Sequence, residues 1–506
     1  MQISNFLTFL SDPKLVLIIA LLMPLIVALL ILLLNKKRNL RDGVMVIGAA
    51  ITFIHVYQLL VWYMQDIQIT LLVVNIVNNI NIAFEVTALG ILFAFIASFL
   101  WIITSIYTIG YVRKNNEKHQ TRFYMLFSIS IFAVLAIAFS ANLFTLFIFY
   151  EMLTLATYPL VTHSRTVEAR QSGRTYLGIL MATSIGLFLP FILLVYSLTG
   201  NIDFTNGGVF GNIYLSNWQV SLLLFLMIFG IGKAAIMPIH RWLPAAMVAP
   251  TPVSALLHAV AVVKSGVYCI VKISFDIFGI DLLSKQFNNN FFFNDWIIYL
   301  AGITIMLASI VALKQDNLKK LLAYSTVSQL SYVILATFIL TPKALIAASF
   351  HIAAHAFSKI TLFFVAGAIY TVSKKKYVSQ LNGIGHRMPW TMAAFFIGAL
   401  SMIAMPVTAG FITKYYIISG AINAEIWFVV FVMIVSTILN TAYFLPIIFN
   451  AFFKKEDQSF SDINIKKDHG ETPYIMLYPL VITALITVYL FFMPDMFISL
   501  ISDLIE

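Results

Sequence analysis

The sequence predicts an all-α polytopic membrane protein, and three observations carry that prediction. Of 506 residues, 61% are hydrophobic and only 10% charged, a balance no soluble domain maintains. The apolar residues fall in repeated runs of about twenty, the length a helix needs to cross a bilayer. Basic residues gather in the short loops after every second run, as membrane orientation requires. The formal charge of +10 therefore reflects topology, and no nucleic-acid partner is implied.

In chain order, the opening MQISNFLTFLSDP lacks a basic leader, so the run at 14–34 reads as a retained first helix and not a cleaved signal. Further runs lie near 43–63, 85–110, 123–140, 142–162, 176–199, 219–246, 253–275, 295–313, 320–340, 344–371, 390–420, 425–452 and 474–493, which brings the expected count to about fourteen transmembrane helices. Loops holding Lys36, Lys37, Arg38 and Arg41, then Arg113 and Lys114, then Arg165, Arg170 and Arg174 follow odd-numbered runs. So do those with Lys314, Lys319 and Lys320, with Lys374, Lys375 and Lys376, and with Lys454 and Lys455. The positive-inside rule assigns them all to the cytoplasm. The alternate loops are poor in cations: 200–218 has no Lys or Arg and 276–296 has only Lys285. Both termini are then expected on the extracytoplasmic side.

Two runs, 219–246 and 390–420, are too long for one simple helix. They contain AIMPI at 235–239 and IAMPV at 403–407, so Pro238 and Pro406 are expected to mark helix breaks. These runs are the seventh and twelfth, and an offset of five reverses orientation. Residues 123–278 and 295–453 are thus expected to form two inverted five-helix repeats, each with one broken helix. Three helices in 1–122 would precede them, and a cytoplasmic loop and last helix in 454–506 would follow. Interrupted segments at matching places in two halves point to a transporter's ion site. Short methionine–proline matches also arise by chance in so apolar a chain.

The ionisable residues inside the runs are the functional candidates, because a cation in hydrocarbon costs about 2.5 kcal/mol or more unless it faces protein or water. Glu151 sits mid-run in LFIFYEMLTLATYPL and needs either a proton or a basic partner. Lys233, two runs later, is the obvious one. A Glu–Lys pair that opens and closes would load and release a proton, whereas a fixed pair would only orient two helices. His240 follows Lys233 by two helical turns and shares its face only if the helix continues past Pro238. It is a candidate relay, or else an interfacial histidine beside Arg241. His258 and Lys264 share the next run six residues apart, on different faces of an ideal helix. Lys264 is favoured to face the polar interior, since a neutral histidine is easier to hide than a lysine.

In the eleventh run, SFHIAAHAFSKITLFFVAGAI, residues His351, His355 and Lys359 recur at intervals of four and form one helical stripe, with Ser358 beside them. Zinc is disfavoured: Ile352 stands where HExxH needs glutamate, and no local carboxylate or cysteine supplies a third ligand. A proton wire of histidines and lysine bridged by water fits better. Lys414, after Pro406 in AGFITKYYIIS, would either gate the outer exit or snorkel to the interface. The single cysteine, Cys269, excludes a disulfide framework, an iron–sulfur cluster and a thiolate zinc site. No metal or cofactor is expected, and no nucleotide-binding motif is present, so energy should come from ion gradients.

Four segments together are specific enough to carry a family resemblance. They are Lys233 through APTPVSALLHAVAVVKSG, LKQDNLKKLLAYSTVSQLSY at 313–332, HAFSKITLFFVAGAI at 355–369 and GFITK at 410–414. They resemble the antiporter-like subunits shared by respiratory complex I, the NADH:quinone oxidoreductase, and by Mrp-type multisubunit monovalent cation/proton antiporters. The resemblance is closest to the Mrp D subunit. Lys414 stands where the middle-sized complex I subunit usually has glutamate, little follows the last run where the largest has a lateral helix, and the smallest lacks the histidines of the eleventh run. The resemblance implies that Glu151 and Lys233 are the coupled acid and base of the first repeat. It makes Lys264 the connector, His351, His355 and Lys359 the bridge, and Lys414 the terminal proton carrier. It further implies a subunit, not itself an enzyme, that exchanges protons for Na⁺ or K⁺ beside other membrane subunits in a bacterial inner membrane. The alternative is a proton-pumping subunit of complex I.

Overall fold

The computed structural model describes residues 12–77, 80–211, 213–287, 295–456 and 469–502. The opening segment read as uncleaved, and most of the loop after Lys455, lie outside these residues. Helix α1 (Pro13–Leu33) starts where Asp12 accepts from the Lys14 N–H at 3.0 Å and proline occupies the first turn. Helices α2 (Arg38–Tyr63) and α3 (Ala88–Lys114) complete the N-terminal group.

Between α2 and α3 the all-α chain carries a small β element. Strands β1 (Thr70–Val77) and β2 (Ile80–Glu85) form an antiparallel hairpin in which Thr70 faces Glu85 and Leu71 faces Phe84. The segment is too short to span a bilayer and is rich in β-branched residues and asparagine, so pairing satisfies its backbone instead. The hairpin is tied onward: the Glu85 N–H donates to the Phe139 carbonyl at 2.7 Å, and the Ala141 N–H to that of Ala83 at 3.0 Å.

The next helices are α4 (Gln120–Ala138), α5 (Leu143–Val161) and α6 (Val167–Thr199), the last containing a π-helical turn at Ser184–Phe188. Asn142 caps α5 by accepting from the Thr145 N–H at 2.7 Å, while its amide donates to Asn81 Oδ1 at 2.7 Å, joining helix to hairpin. Helix α6 starts nine residues before the apolar run, because Thr166 supplies a cap for the Ala169 N–H and Glu168 favours the first turn. There follow α7 (Asn217–Gly230), α8 (Thr251–Phe278), α9 (Trp296–Leu313), α10 (Leu318–Ile339) and α11 (Pro342–Ser373). The chain then runs through α12 (Pro389–Ile403), α13 (Ala409–Asn423), α14 (Trp427–Phe453) and α15 (Tyr474–Phe492).

Among the described residues, twelve helices are long and apolar enough to cross a membrane, and the shorter apolar helices are α7 and α12. Both shorter ones end in irregular backbone. The chain is an all-α polytopic membrane protein with one small hairpin. Its centre is set by α8 and α11, whose apolar windows are 100% buried, whereas α2, α6 and α14 bury only 39% of theirs. Such outward apolar faces, for example Phe431, Ile434 and Ile438 on α14, suit lipid.

Candidate functional site

The site begins at two breaks. After Gly230 the first break makes a 3₁₀ turn at Gly232–Ala234, turns through a positive φ of 56° at Ala235, and makes a second 3₁₀ turn at Ile239–Arg241. The helix therefore ends well before Pro238. The Trp242 indole donates to the Gly232 carbonyl at 3.0 Å, satisfying a group that lipid could not. Gly266 on α8 lets this irregular chain lie close, since a Cβ there would run into the backbone of Lys233 and Ala234.

The second break encloses Pro406 between positive φ values of 71° at Ala404 and 70° at Val407. Its freed carbonyls are taken by side chains: Met402 accepts from Asn440 Nδ2 at 3.0 Å, Met405 from Thr408 Oγ1 at 2.7 Å, and Ile403 from Lys414 Nζ at 3.2 Å.

Lys233 is fully buried in the first break, and its Nζ donates to the Tyr150 carbonyl at 2.8 Å while sitting 3.1 Å from the centre of the Tyr150 ring. The Tyr150 hydroxyl accepts from the Lys233 N–H at 3.2 Å. Glu151 is the next residue along α5. Among the described residues neither of its buried carboxylate oxygens has a hydrogen-bond partner, and no ion pair joins it to Lys233. Lys233 thus holds the residue next to its expected partner.

Lys264 is buried on α8, and its Nζ lies 2.8 Å from Nδ1 of His355 on α11. That bond joins residues 123–278 to residues 295–453. His258 and Lys264 were expected on different faces of an ideal helix, but a π-helical turn at Leu256–Val260 and an irregular Ala261 separate them. His258 is also fully buried. Its ring sits 4.6 Å from that of Phe363, and among the described residues neither ring nitrogen has a partner.

Along α11 the stripe continues. The rings of His351 and His355 are 5.7 Å apart, and Lys359 Nζ donates to Ser325 Oγ at 2.8 Å. Ser358 donates to Ser401 Oγ at 2.7 Å, fastening α11 to α12. Tyr332 stands between His351, at 5.7 Å between ring centres, and Lys414, whose Nζ lies 5.4 Å from the tyrosine ring. Lys414 does not snorkel. It is 6% exposed, and its ammonium also donates to Thr437 Oγ1 at 2.9 Å. Among the described residues no three His, Cys, Asp or Glu side chains converge as metal ligands.

His240 stands apart from this row. It lies in the half-exposed 3₁₀ turn after Pro238, so the two-turn register with Lys233 does not exist. Sequence reasoning also passed over the neutral members. Ser325 accepts from Lys359 and lies 3.1 Å from the Tyr443 hydroxyl, whose single proton goes to Asn440 Oδ1 at 2.6 Å. Tyr332 and Ser436 share a hydroxyl–hydroxyl bond. Hydroxyl residues scatter through this sequence, and only the partner helix singles these out. A buried charge was missed as well: Lys272 pairs with Asp276 at 2.6 Å, one turn along α8.

Broken helices flanking a buried row of lysines and histidines define a multi-pass, antiporter-like membrane protein. Over residues 140–440 the chain matches the family described as NADH:quinone oxidoreductase/Mrp antiporter, TM, and it belongs to that family. It is 30% identical over 414 residues to NADH-quinone oxidoreductase subunit N of Desulforudis audaxviator (strain MP104C), covering 80% of each chain. Of the longer NADH-ubiquinone oxidoreductase chain 5 relatives it spans 59–63%. Its fold is similar to a chain of the membrane-bound sulfane sulfur reductase, an archaeal respiratory membrane complex, with a TM-score of 0.83 at 23% identity, covering 97% of this chain and 98% of that one. It is likewise similar to a chain of the Mrp complex from Dietzia sp. DQ12-45-1b, with a TM-score of 0.80 at 20% identity, covering 98% and 97%.

Proposed function

We propose that the chain is the proton-translocating subunit of a monovalent cation/proton antiporter, exchanging protons for Na⁺ or K⁺ within a multisubunit complex of a bacterial inner membrane. The observation that carries this reading is the Lys264–His355 bond. Two buried basic groups in one hydrogen bond hold at most one proton comfortably, and that proton can sit on either nitrogen. Glu151 and Lys233 load the first half, Lys264 passes the proton to His355, and His351 and Lys359 carry it towards Lys414. His258 is a side relay, and His240 serves where the path meets water. Pro238 and Pro406 mark breaks in two inverted repeats, residues 123–278 and 295–453. With α7 and the α12–α13 pair counted as crossings, the chain spans fourteen times, with basic loops in the cytoplasm and both termini outside.

A second reading is favoured by the subunit N relative, matched over 80% of both chains. In it the same row pumps protons in NADH:quinone oxidoreductase, driven by partner subunits. Proteoliposomes separate the two. Internal pH change driven by a Na⁺ or K⁺ gradient supports the antiporter, and pumping that demands NADH and quinone with partner subunits supports the oxidoreductase. A Glu151→Gln or Lys233→Ala protein with undiminished flux would falsify the path itself.

A further inference from the structure

A cavity of about 800 Å³ lies away from the buried row, where the end of α1 meets the starts of α2 and α4. Its polar wall holds Arg38, Arg41, Lys118, His119 and Arg122, against one acid, Glu117. Leu32 and Met125 form an apolar edge.

Two helix starts open into this space. The first turns of α2 and α4 both contribute lining residues, neither helix has a side-chain cap hydrogen bond, and neither carries an acid in its first turn. Unsatisfied N–H groups at a helix start favour an anion.

The cations divide into fixed and free. Arg41 is committed to Asp42 at 2.9 Å, Thr121 at 3.1 Å and Gln120 at 3.0 Å, so it shapes the wall. Among the described residues, the Arg122 guanidinium donates to the His163 carbonyl at 3.4 Å and its buried Nε has no hydrogen-bond partner. Arg38 and Lys118 are exposed. Arg165 above all, then partial desolvation, Arg122 and Lys118, holds the His119 imidazole below its ordinary range, consistent with a net positive field.

Apolar surface continues from the mouth. Leu22, Ile26, Leu29 and Leu33 on α1 are exposed, giving an acyl chain a track that descends from the basic wall. A free phosphate would use the wall but not the track.

We propose that this cavity binds the phosphodiester headgroup of an anionic phospholipid, with Arg38, Lys118 and Arg122 on the phosphate and an acyl chain along α1. Basic pockets between transmembrane helices recognise such headgroups, each cation being worth about a fivefold change in affinity near a membrane surface. The site is independent of the proton path.

The full chain, purified in mild detergent, would be titrated with phosphatidylglycerol, phosphatidylcholine or inorganic phosphate and followed by native mass spectrometry and thermal unfolding. Phosphatidylglycerol should bind and raise the melting temperature, and the other two should not. The triple variant Arg38→Gln, Lys118→Gln, Arg122→Gln should lose about a hundredfold in affinity at about fivefold per cation. A Lys454→Gln, Lys455→Gln control, altering exposed cations elsewhere, should bind as the parent does. Equal binding of phosphatidylcholine, an unaffected triple variant, or an equally weakened control overturns the assignment. So does stabilisation by inorganic phosphate alone, which would make this a free-anion site.

Discussion

The two broken helices solve one problem with different partners. At the first, Lys233 lies within the break, holds the carbonyl of Tyr150, and has the unpaired Glu151 one residue beyond its partner. At the second, Lys414 follows the break by more than a turn of α13 and holds a carbonyl that the break itself frees, with Thr437 beside it. Residues 295–453 contain only Asp295, Asp316 and Glu425 as acids, all at or between helix ends. The first lysine therefore has a carboxylate within its reach of motion, and the second has only dipoles. On the proposed path, a proton would pass between an acid and a base in the first half, whereas in the second it would have to travel through bases and hydroxyls alone.

The largest expected effect breaks this difference directly. Lys233→Ala removes the cation whose charge acts on Glu151, leaving its partnerless carboxylate oxygens less compensated, which should cost about 1–3 kcal/mol. Adding Glu151→Gln to that variant should restore most of the loss in thermal unfolding. Lys414→Met removes a buried cation whose contacts are all neutral, and should leave stability unchanged or raised. Both lysine variants should lose about a hundredfold or more in proton flux, the scale of a lost proton-transfer group. Equal destabilisation at the two sites would erase the distinction drawn between them.

Next come the glycines that let each break pack. A Cβ on Gly266 meets the Lys233–Ala234 backbone, and one on Gly410 meets the Ser401 carbonyl, where neither neighbour can rotate away. Each Gly→Ala substitution should cost about 1–3 kcal/mol as overpacking. The consequences differ: Gly266→Ala shifts the backbone that carries Lys233, whereas Gly410→Ala pushes α13 from α12 and disturbs the Ser358–Ser401 bond. Melting temperatures and flux measured together would separate a misplaced lysine from a loosened helix.

How much of this was legible beforehand follows from periodicity. Apolar runs and loop charge marked the helices, and the interval of four aligned His351, His355 and Lys359 on α11 before any contact was known. The hairpin was not legible, because a run such as TLLVVNIV is apolar without being long, and its pairing depends on the loops after α4. One irregularity was beyond the sequence for a local reason: the π-helical turn that contains His258 removes the ideal helical angle between it and Lys264. Prolines marked both breaks, yet the first begins at Ile231, where Gly232 and Ala235 take the chain out of helix. Ser325 and Tyr443 became visible only through the lysine they hold.

A smaller effect tests whether the second half is tuned by hydroxyls alone. Ser325 is the acceptor for Lys359 Nζ and lies within hydrogen-bond distance of the Tyr443 hydroxyl. Ser325→Ala should lower stability by about 1 kcal/mol, with flux slowed but present. Ser325→Asp would give the second half the carboxylate it lacks. It should pin the Lys359 ammonium and reduce flux more than alanine does, a reversal of the usual order for a lost hydrogen bond.

The smallest effect concerns an acid at the edge of the second half. Glu456 accepts from Lys375 Nζ at 2.9 Å and from Arg387 Nε at 2.7 Å, tying the loop after α11 to the end of α14. Burial alone would raise its carboxyl, but the hydrogen bonds from Lys375 and Arg387 together with their positive charges outweigh burial and hold it below the ordinary range. A lowered carboxylate contributes stability that is complete above the unfolded value of about 4.3 and lost as pH falls through the folded value. Because the pair is partly exposed, that contribution should be no more than about 1 kcal/mol. Melting temperature should thus fall slightly below pH 4 in the parent, and the slope should flatten in Glu456→Gln. An unchanged slope would mean that the edge acid is as silent as the interior of the second half, where no carboxylate titrates at all.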